Sequence, residues 1–125
     1  MKIRLHEIEL NTQDPAASKA FYENVIGLPL THSLPAGLNV FNAGVSGVDF
    51  DTSMHRPGKA VVSFVTDDLD VFVKAVRAKG VKVPDPASSH LGLRSVELTD
   101  PDGHIVVVQG LTVDTPPWLK EQLGL

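Results

Sequence analysis

Apolar residues recur along this chain with two periods, that of a β-strand and that of an α-helix. A change from the strand period to the helix period occurs twice. Ile8 and Leu10 alternate with polar residues, as in a strand with one face on a core and one in a polar environment. From Ala16 to Ile26 the apolar side chains recur at helical spacing. The strand and helix patterns return 53 positions later, between residues 61 and 79. The pattern therefore predicts an internal repeat of two strand–helix units.

The two predicted helices begin and end with the same signals. Asp14 precedes Pro15, a typical helix start, and Gly27 follows 13 positions after Asp14. Asp67 and Gly80 have the same spacing in the second copy, and both glycines suit the position after a helix C-terminus. The apolar stripe of the first helix, which we expect to face the core, consists of Ala17, Phe21 and Val25.

Strand-like stretches separated by turn residues follow each helix. They are predicted at residues 30–34, 38–43, 48–52, 81–83, 93–99 and 105–109. The predicted fold class is α+β, with two βαβββ modules that form a cupped mixed sheet with helices on its outer face. We expect a single domain, with module one at residues 1–54, module two at residues 59–110, and a C-terminal tail at residues 111–125 that contains a short helix.

Charge and composition restrict the functions that remain. The chain has 125 residues, and its 11 Lys and Arg against 15 Asp and Glu give a net charge of −4. A weakly acidic domain argues against nucleic-acid binding, and no apolar run approaches the roughly 18 residues of a membrane span. The chain contains no cysteine, so it has no thiolate chemistry. The N-terminus lacks the apolar core of a signal peptide, so we expect a cytoplasmic protein.

Two motifs give the chain a family resemblance. The first combines Asp14-Pro15, Phe21-Tyr22 and Ile26-Gly27-Leu28, and the second is the Asp-Pro-Asp-Gly turn at residues 100–103, followed by His104. Together with the repeat, they resemble the vicinal oxygen chelate superfamily of glyoxalase I, fosfomycin resistance proteins, extradiol dioxygenases and bleomycin resistance proteins. The resemblance extends over residues 5–110 and implies a ligand site in the cup of the sheet.

The resemblance also implies where relatives bind a divalent metal. The ligand positions correspond to Glu7, to Phe50 or Asp51, to Val61 and to Val107. A valine side chain has no donor atom, so two of these positions cannot bind an ion. Metal centres favour three or more fixed ligands. We therefore predict no metal and no cofactor.

The candidate ligand-binding residues combine acidic and apolar side chains. They are Glu7, Glu9, Phe50, Val61, Ser63, Glu97 and Val107. Gathered carboxylates would suit a cationic ligand, and they would raise one another's pKa so that one could act as a general acid or base. A solvated face or salt bridges across the sheet would explain the same carboxylates. The sequence identifies no catalytic residue.

The first hypothesis is metal-independent binding of a small organic ligand, with a cationic ligand as the first choice. Bleomycin resistance proteins are the precedent that the resemblance supplies, since they bind a cationic drug and form dimers; we expect a homodimer here. The alternatives are a lyase, isomerase or dioxygenase that acts on a small oxygenated substrate, and a protein-interaction module.

Overall fold

The structure is a computed structural model that describes residues 1–44, 47–56, 58–99 and 104–125. The chain divides into two compact units. His6–Val62 forms the first unit, and Met1–Leu5 together with Ser63–Leu125 forms the second. The Asp-Pro-Asp-Gly turn expected at residues 100–103 lies outside the described residues. No helix within the described ranges combines the length and hydrophobicity of a membrane span.

The first βαβββ module begins with a long strand and contains a helix of mixed type. Its elements are β1 (Ile3–Asn11), α1 (Pro15–Ala20), a π-helical segment (Phe21–Ile26), β2 (Leu30–Leu34), a 3-10 turn (Pro35–Gly37), β3 (Leu38–Phe41) and β4 (Asp49–Ser53). The strands lie in the order β2-β3-β4-β1. Strand β4 is parallel to β1, whereas β3 is antiparallel to both β2 and β4.

The second module repeats this order and adds a terminal helix. Its elements are β5 (Ala60–Thr66), α2 (Leu69–Ala78), β6 (Ala87–Ser88), a 3-10 turn (His90–Gly92), β7 (Arg94–Thr99), β8 (Ile105–Gly110) and α3 (Pro117–Leu123). The strands lie in the order β5-β8-β7-β6, and β7 is antiparallel to both β6 and β8. The predicted α+β class, with two βαβββ modules and mixed strand pairing, is confirmed.

Side chains cap both repeated helices at their N-termini. Oδ1 of Asp14 accepts a hydrogen bond from the Ala17 amide at 3.0 Å, and Oδ1 of Asp68 accepts one from the Val71 amide at 3.1 Å. Each cap satisfies an amide that has no partner within the helix. The predicted closing residue of the first helix, Gly27, takes the left-handed conformation with φ 87°.

The predicted packing of the first helix is wrong. Neither α1 nor the π-helical segment contains a fully buried residue, and Phe21 and Val25 are 47% and 69% exposed. The first residue of the predicted stripe, in α1, is exposed as well, so the stripe is out of register with the inward face along its whole length. Tyr22 is turned inward instead, with its ring centroid 5.0 Å from that of Phe50 and 5.8 Å from that of Phe41.

The strand expected at residues 81–83 is also absent from the structure. The guanidinium of Arg77 donates to the Val83 carbonyl oxygen at 2.8 and 3.2 Å, and the Val83 side chain is buried in the core. Pro84 and Pro86 have no amide proton to donate to a neighbouring strand. The edge strand β6 therefore starts only at Ala87.

The second unit has an apolar cluster on each face of β5. One cluster joins α2 to the sheet and contains Leu69, Val73, Val83, Val96 and Val108, with Phe64 and Phe72 packed against it. The other contains Val65, Leu93, Leu119 and Leu123, so α3 packs on the opposite face, because neighbouring residues of a strand alternate. Arg4 Nε donates to the Leu123 carbonyl oxygen at 2.7 Å and fixes the end of α3.

Candidate functional site

Four carboxyl groups lie on one face of the first unit. In the parallel pairing of β1 with β4, Glu7 is opposite Asp49 and Glu9 is opposite Asp51. Residues two apart in a strand point to the same side. Glu7, Glu9, Asp49 and Asp51 therefore form two adjacent rows of carboxyl groups, which we call the acidic face.

Asp51 is the buried member of the acidic face. Asp51 is only 3% exposed, and its Oδ1 atom has no hydrogen-bond partner among the described residues. Burial, followed by a hydrogen bond to Glu7 and the charges of Glu7, Asp49 and Glu9, raises the pKa of Asp51 to about 10. Asp51 is therefore protonated at neutral pH and can donate a hydrogen bond to Glu7.

Two histidines border the acidic face. Nδ1 of His55 lies 3.2 Å from Oε1 of Glu9, and Nε2 of His6 lies 4.0 Å from Oδ2 of Asp49. The His55 side chain is 52% exposed and the Glu9 side chain only 11%, so this histidine bridges a buried carboxylate to solvent. When protonated, His55 would compensate the charge of Glu9.

A side-chain network holds the ends of β1 and β4 together next to the acidic face. Oδ1 of Asn11 accepts hydrogen bonds from the Arg56 amide at 2.6 Å and from the Ser53 hydroxyl at 3.1 Å. The Asn11 amide group donates to the Lys59 carbonyl oxygen at 2.6 Å. One asparagine therefore fixes the turn that carries His55 and leads into β5.

The metal set that the resemblance implies does not fit these residues. Val61 is buried and Val107 is half-buried, and neither has a donor atom. One other group of donors is compact: single atoms of His6, Glu7 and Asp49 lie within 4.8 Å of one another. This group contains one imidazole and two carboxylates, and it shares only Glu7 with the positions used by relatives.

Of the other predicted site residues, Phe50 and Val61 belong to the first unit. Phe50 lies between Asp49 and Asp51 in β4 and packs against Tyr22, so it points to the opposite face, and its prediction as a partner of Glu7 and Glu9 is wrong. Val61 is buried in the first unit.

Three predicted site residues belong to the second unit. Glu97 and Val107 are opposite each other in the pairing of β7 with β8, and the Glu97 side chain is exposed. Ser63 is buried in β5, on the strand face opposite Phe64. These three side chains therefore belong to the sheet face that does not carry α2.

Sequence reasoning missed Asp49 and His55 as members of this site. The alternation in Asp49-Phe50-Asp51 was the available signal, because two acidic residues flanking an apolar one in a strand share a face. Nothing in the sequence places that pair beside Glu7 and Glu9, since the register of β1 with β4 is a tertiary feature.

Comparison with protein families agrees with this fold. The model of the Glyoxalase/Bleomycin resistance protein/Dioxygenase superfamily matches residues 4–108. The chain belongs to this superfamily. No curated protein matches the chain in sequence.

Solved structures of superfamily members share the fold at low sequence identity. A superfamily member from Vibrio splendidus is 16% identical, with 87% of this chain and 98% of that chain covered and a TM-score of 0.65. A methylmalonyl-CoA epimerase variant from Streptomyces coelicolor is 20% identical, with 91% and 98% covered and a TM-score of 0.60. A protein from Bacillus halodurans is 14% identical, with 93% and 99% covered and a TM-score of 0.66.

Proposed function

We propose that the protein binds a small organic cation on the acidic face, without a metal ion. The observation that carries this proposal is the buried Oδ1 atom of Asp51, an acceptor without a partner among the described residues, in contact with a carboxylate row. A buried polar atom without a hydrogen bond is unfavourable. An ammonium or guanidinium group on the acidic face would pair with the neighbouring carboxylates and place a positive charge close to this atom.

The spacing of the carboxyl groups favours an organic cation over a single metal ion. Residues two apart in a strand are separated by roughly 6.6 Å. The row of Glu7 and Asp49 therefore lies that far from the row of Glu9 and Asp51, measured along the backbone. A metal ion holds its ligands at about 2.0–2.6 Å. An ion held by His6, Glu7 and Asp49 would not reach the Glu9 carboxylate in the second row, whereas a guanidinium or a diamine can contact both rows.

Homodimeric assembly and a cytoplasmic location, both expected from the sequence, are part of this proposal. The exposed apolar side chains of Phe21, Val25 and Ile26 along the first helix support the assembly, because contiguous exposed apolar surface is typical of interaction sites. The cytoplasmic location rests on the sequence expectation alone.

The binding proposal predicts that organic amines raise the thermal midpoint of the protein in the presence of EDTA. Suitable probes are butylamine, putrescine and agmatine, with 1,4-butanediol as the uncharged analogue. We expect Glu7→Gln and Glu9→Gln to weaken amine binding by about tenfold each, because each removes one charge-assisted contact. Isothermal titration calorimetry measures the affinities directly.

Glu121→Gln is the matched control, since Glu121 is an exposed residue of α3 and lies outside the acidic face. Its amine affinity should equal that of the unmodified protein. A protein that retains a stoichiometric divalent metal through EDTA treatment, or that responds equally to the diol, contradicts the proposal.

Acid–base catalysis by an isomerase is a second candidate, favoured by the protonated carboxyl of Asp51 beside Glu7. A carboxylate and a carboxylic acid in contact can remove a proton from a carbon acid and return one to it. Structures of methylmalonyl-CoA epimerase share the fold. In this reading Glu7 takes the α-proton of an acyl thioester, and Asp51 donates its own proton to the resulting carbanion.

Deuterium exchange tests the second candidate. In D2O, an active isomerase would incorporate deuterium at the α-carbon of methylmalonyl-CoA, as mass spectrometry would show. Asp51→Asn should abolish this incorporation, because an amide cannot donate that proton. Incorporation at the rate of the enzyme-free solution would exclude this substrate class and leave the binding function.

A further inference from the structure

The first unit also contains a cleft that does not include the residues of the acidic face. Its volume is about 440 Å³, and it lies between the end of β1, helix α1 and the start of β5. Its lining includes Leu10, Thr12, Ser18, Tyr22, Lys59 and Ala60. The Tyr22 ring packs against Phe50, which points away from the carboxyl groups of its neighbours in β4, so the cleft lies on the opposite side of the sheet from the acidic face.

The polar groups of this cleft are mostly hydrogen-bond donors without protein partners. Within the described ranges, the hydroxyls of Ser18 and Tyr22 and the ammonium of Lys59 make no hydrogen bond or ion pair. The Thr12 hydroxyl oxygen accepts from the Asp14 amide at 3.0 Å, so its proton is available to another acceptor. The cleft therefore offers up to four donor groups.

The charge of the cleft has the opposite sign to that of the acidic face. None of the described residues that line it carries a carboxylate, and among them Lys59 contributes the only formal charge. The nearby Asp14 carboxylate is engaged in capping α1 through the Ala17 amide. An anion in this cleft would therefore meet donors and a positive charge, with no carboxylate in the lining to repel it.

The framework of the cleft is fixed before any ligand binds. Asn11 holds the Lys59 backbone through a 2.6 Å hydrogen bond to its carbonyl oxygen, and the Thr12 amide donates to the Ser53 carbonyl oxygen at 2.7 Å. The ring contacts of Tyr22 with Phe41 and Phe50 fix the direction of its hydroxyl. The backbone of the cleft and the Tyr22 ring therefore lose little conformational entropy on binding.

We propose that this cleft binds the carboxylate or phosphate group of a small organic anion. The oxygens of that group accept hydrogen bonds from the Tyr22 and Ser18 hydroxyls and pair with the Lys59 ammonium. Leu10, Ala60 and the Tyr22 ring contact the apolar body of the ligand. This site is independent of the proposed cation site, since the two differ in sheet face, residues and charge.

Calorimetric titration at constant ionic strength tests this inference with four probes: acetate, benzoate, inorganic phosphate and phenyl phosphate. We expect saturable binding that Lys59→Gln weakens by about tenfold and that Tyr22→Phe and Ser18→Ala each weaken several-fold. Tyr22→Phe keeps the ring contacts and should leave the circular dichroism spectrum unchanged. Lys74→Gln, at an exposed position of α2, is the charge-matched control and should bind like the unmodified protein.

The four probes also identify the group that binds. A preference for benzoate over phenyl phosphate assigns the cleft to carboxylates, and the reverse preference assigns it to phosphates. Absence of saturable binding for all four probes at millimolar concentration would overturn the inference. So would equal losses in Lys59→Gln and Lys74→Gln, because a loss of that kind reflects net charge and not a site.

Discussion

Asp51→Asn is expected to raise the free energy of unfolding by on the order of 5 kcal/mol at pH 8 and to leave it nearly unchanged at pH 4. The variant keeps the size of the side chain, and its amide group can donate to Glu7 as the protonated Asp51 does. It removes the ionisable group that has to take up a proton when the chain folds. The gain should therefore grow with pH.

The direction follows from the raised pKa of Asp51. In the unfolded chain this carboxyl ionises near its ordinary pKa of 3.8, and in the folded protein the pKa is raised to about 10. Below pH 4 both states are protonated and the group does not affect stability. Between about pH 4 and pH 10 folding takes up a proton, so stability falls by about 1.4 kcal/mol per pH unit.

Chemical denaturation at pH 5, 7 and 9 measures this effect in both proteins. Asp114→Asn is the matched control, because Asp114 is exposed and lies outside the acidic face. The other ionisable groups near Asp51 (Glu7, Glu9, Asp49 and His55) are unchanged in both variants. Equal pH slopes in the unmodified protein and in Asp51→Asn would contradict the buried, protonated state of this carboxyl.

The second large change in stability is expected for Leu123→Ala, which should lower the free energy of unfolding by about 3 kcal/mol. Leu123 is 1% exposed and belongs to the cluster that packs α3 against Val65 and Leu93. Truncating it removes three buried carbon atoms and leaves a cavity between helix and sheet. Urea denaturation followed by circular dichroism measures the loss.

Val113→Ala is the control for this prediction, because Val113 is 95% exposed and its loss should change stability by less than about 0.5 kcal/mol. A loss below about 1 kcal/mol in Leu123→Ala would mean that α3 contributes little to the second unit. Increased binding of a dye such as ANS by Leu123→Ala would show that its docking covers apolar surface around Val65.

Local patterns were sufficient to predict the repeat and most elements. The cap of the first helix, the closing Gly27 and the alternation of Glu7 and Glu9 with Ile8 depend on interactions within a few residues, which the sequence shows directly. The cap of the second helix lies one residue later than predicted, at Asp68. The same alternation placed Glu7 and Glu9 on one side of β1. These features required no knowledge of the neighbouring strands.

The features that were missed depend on distant parts of the chain. Asp49 joins the site only because β4 returns parallel to β1, a pairing that no short pattern encodes. The first helix turns Tyr22 and not Phe21 inward, because packing against Phe50 in a distant strand decides which face of the helix meets the sheet. Phe50 was misplaced because its position was inferred from relatives and not from its neighbours Asp49 and Asp51.

The parallel pairing of β1 with β4 makes the acidic face a property of the completed first unit. The strands β2 and β3 lie between them in the chain, so no locally folded fragment brings the four carboxyl groups together. A molecule that requires both rows therefore recognises only the native chain and shifts the folding equilibrium towards it by mass action. The resistance of the protein to proteases should thus rise with the concentration of that molecule. The amount of this protein in a cell would then increase when more of the molecule is present.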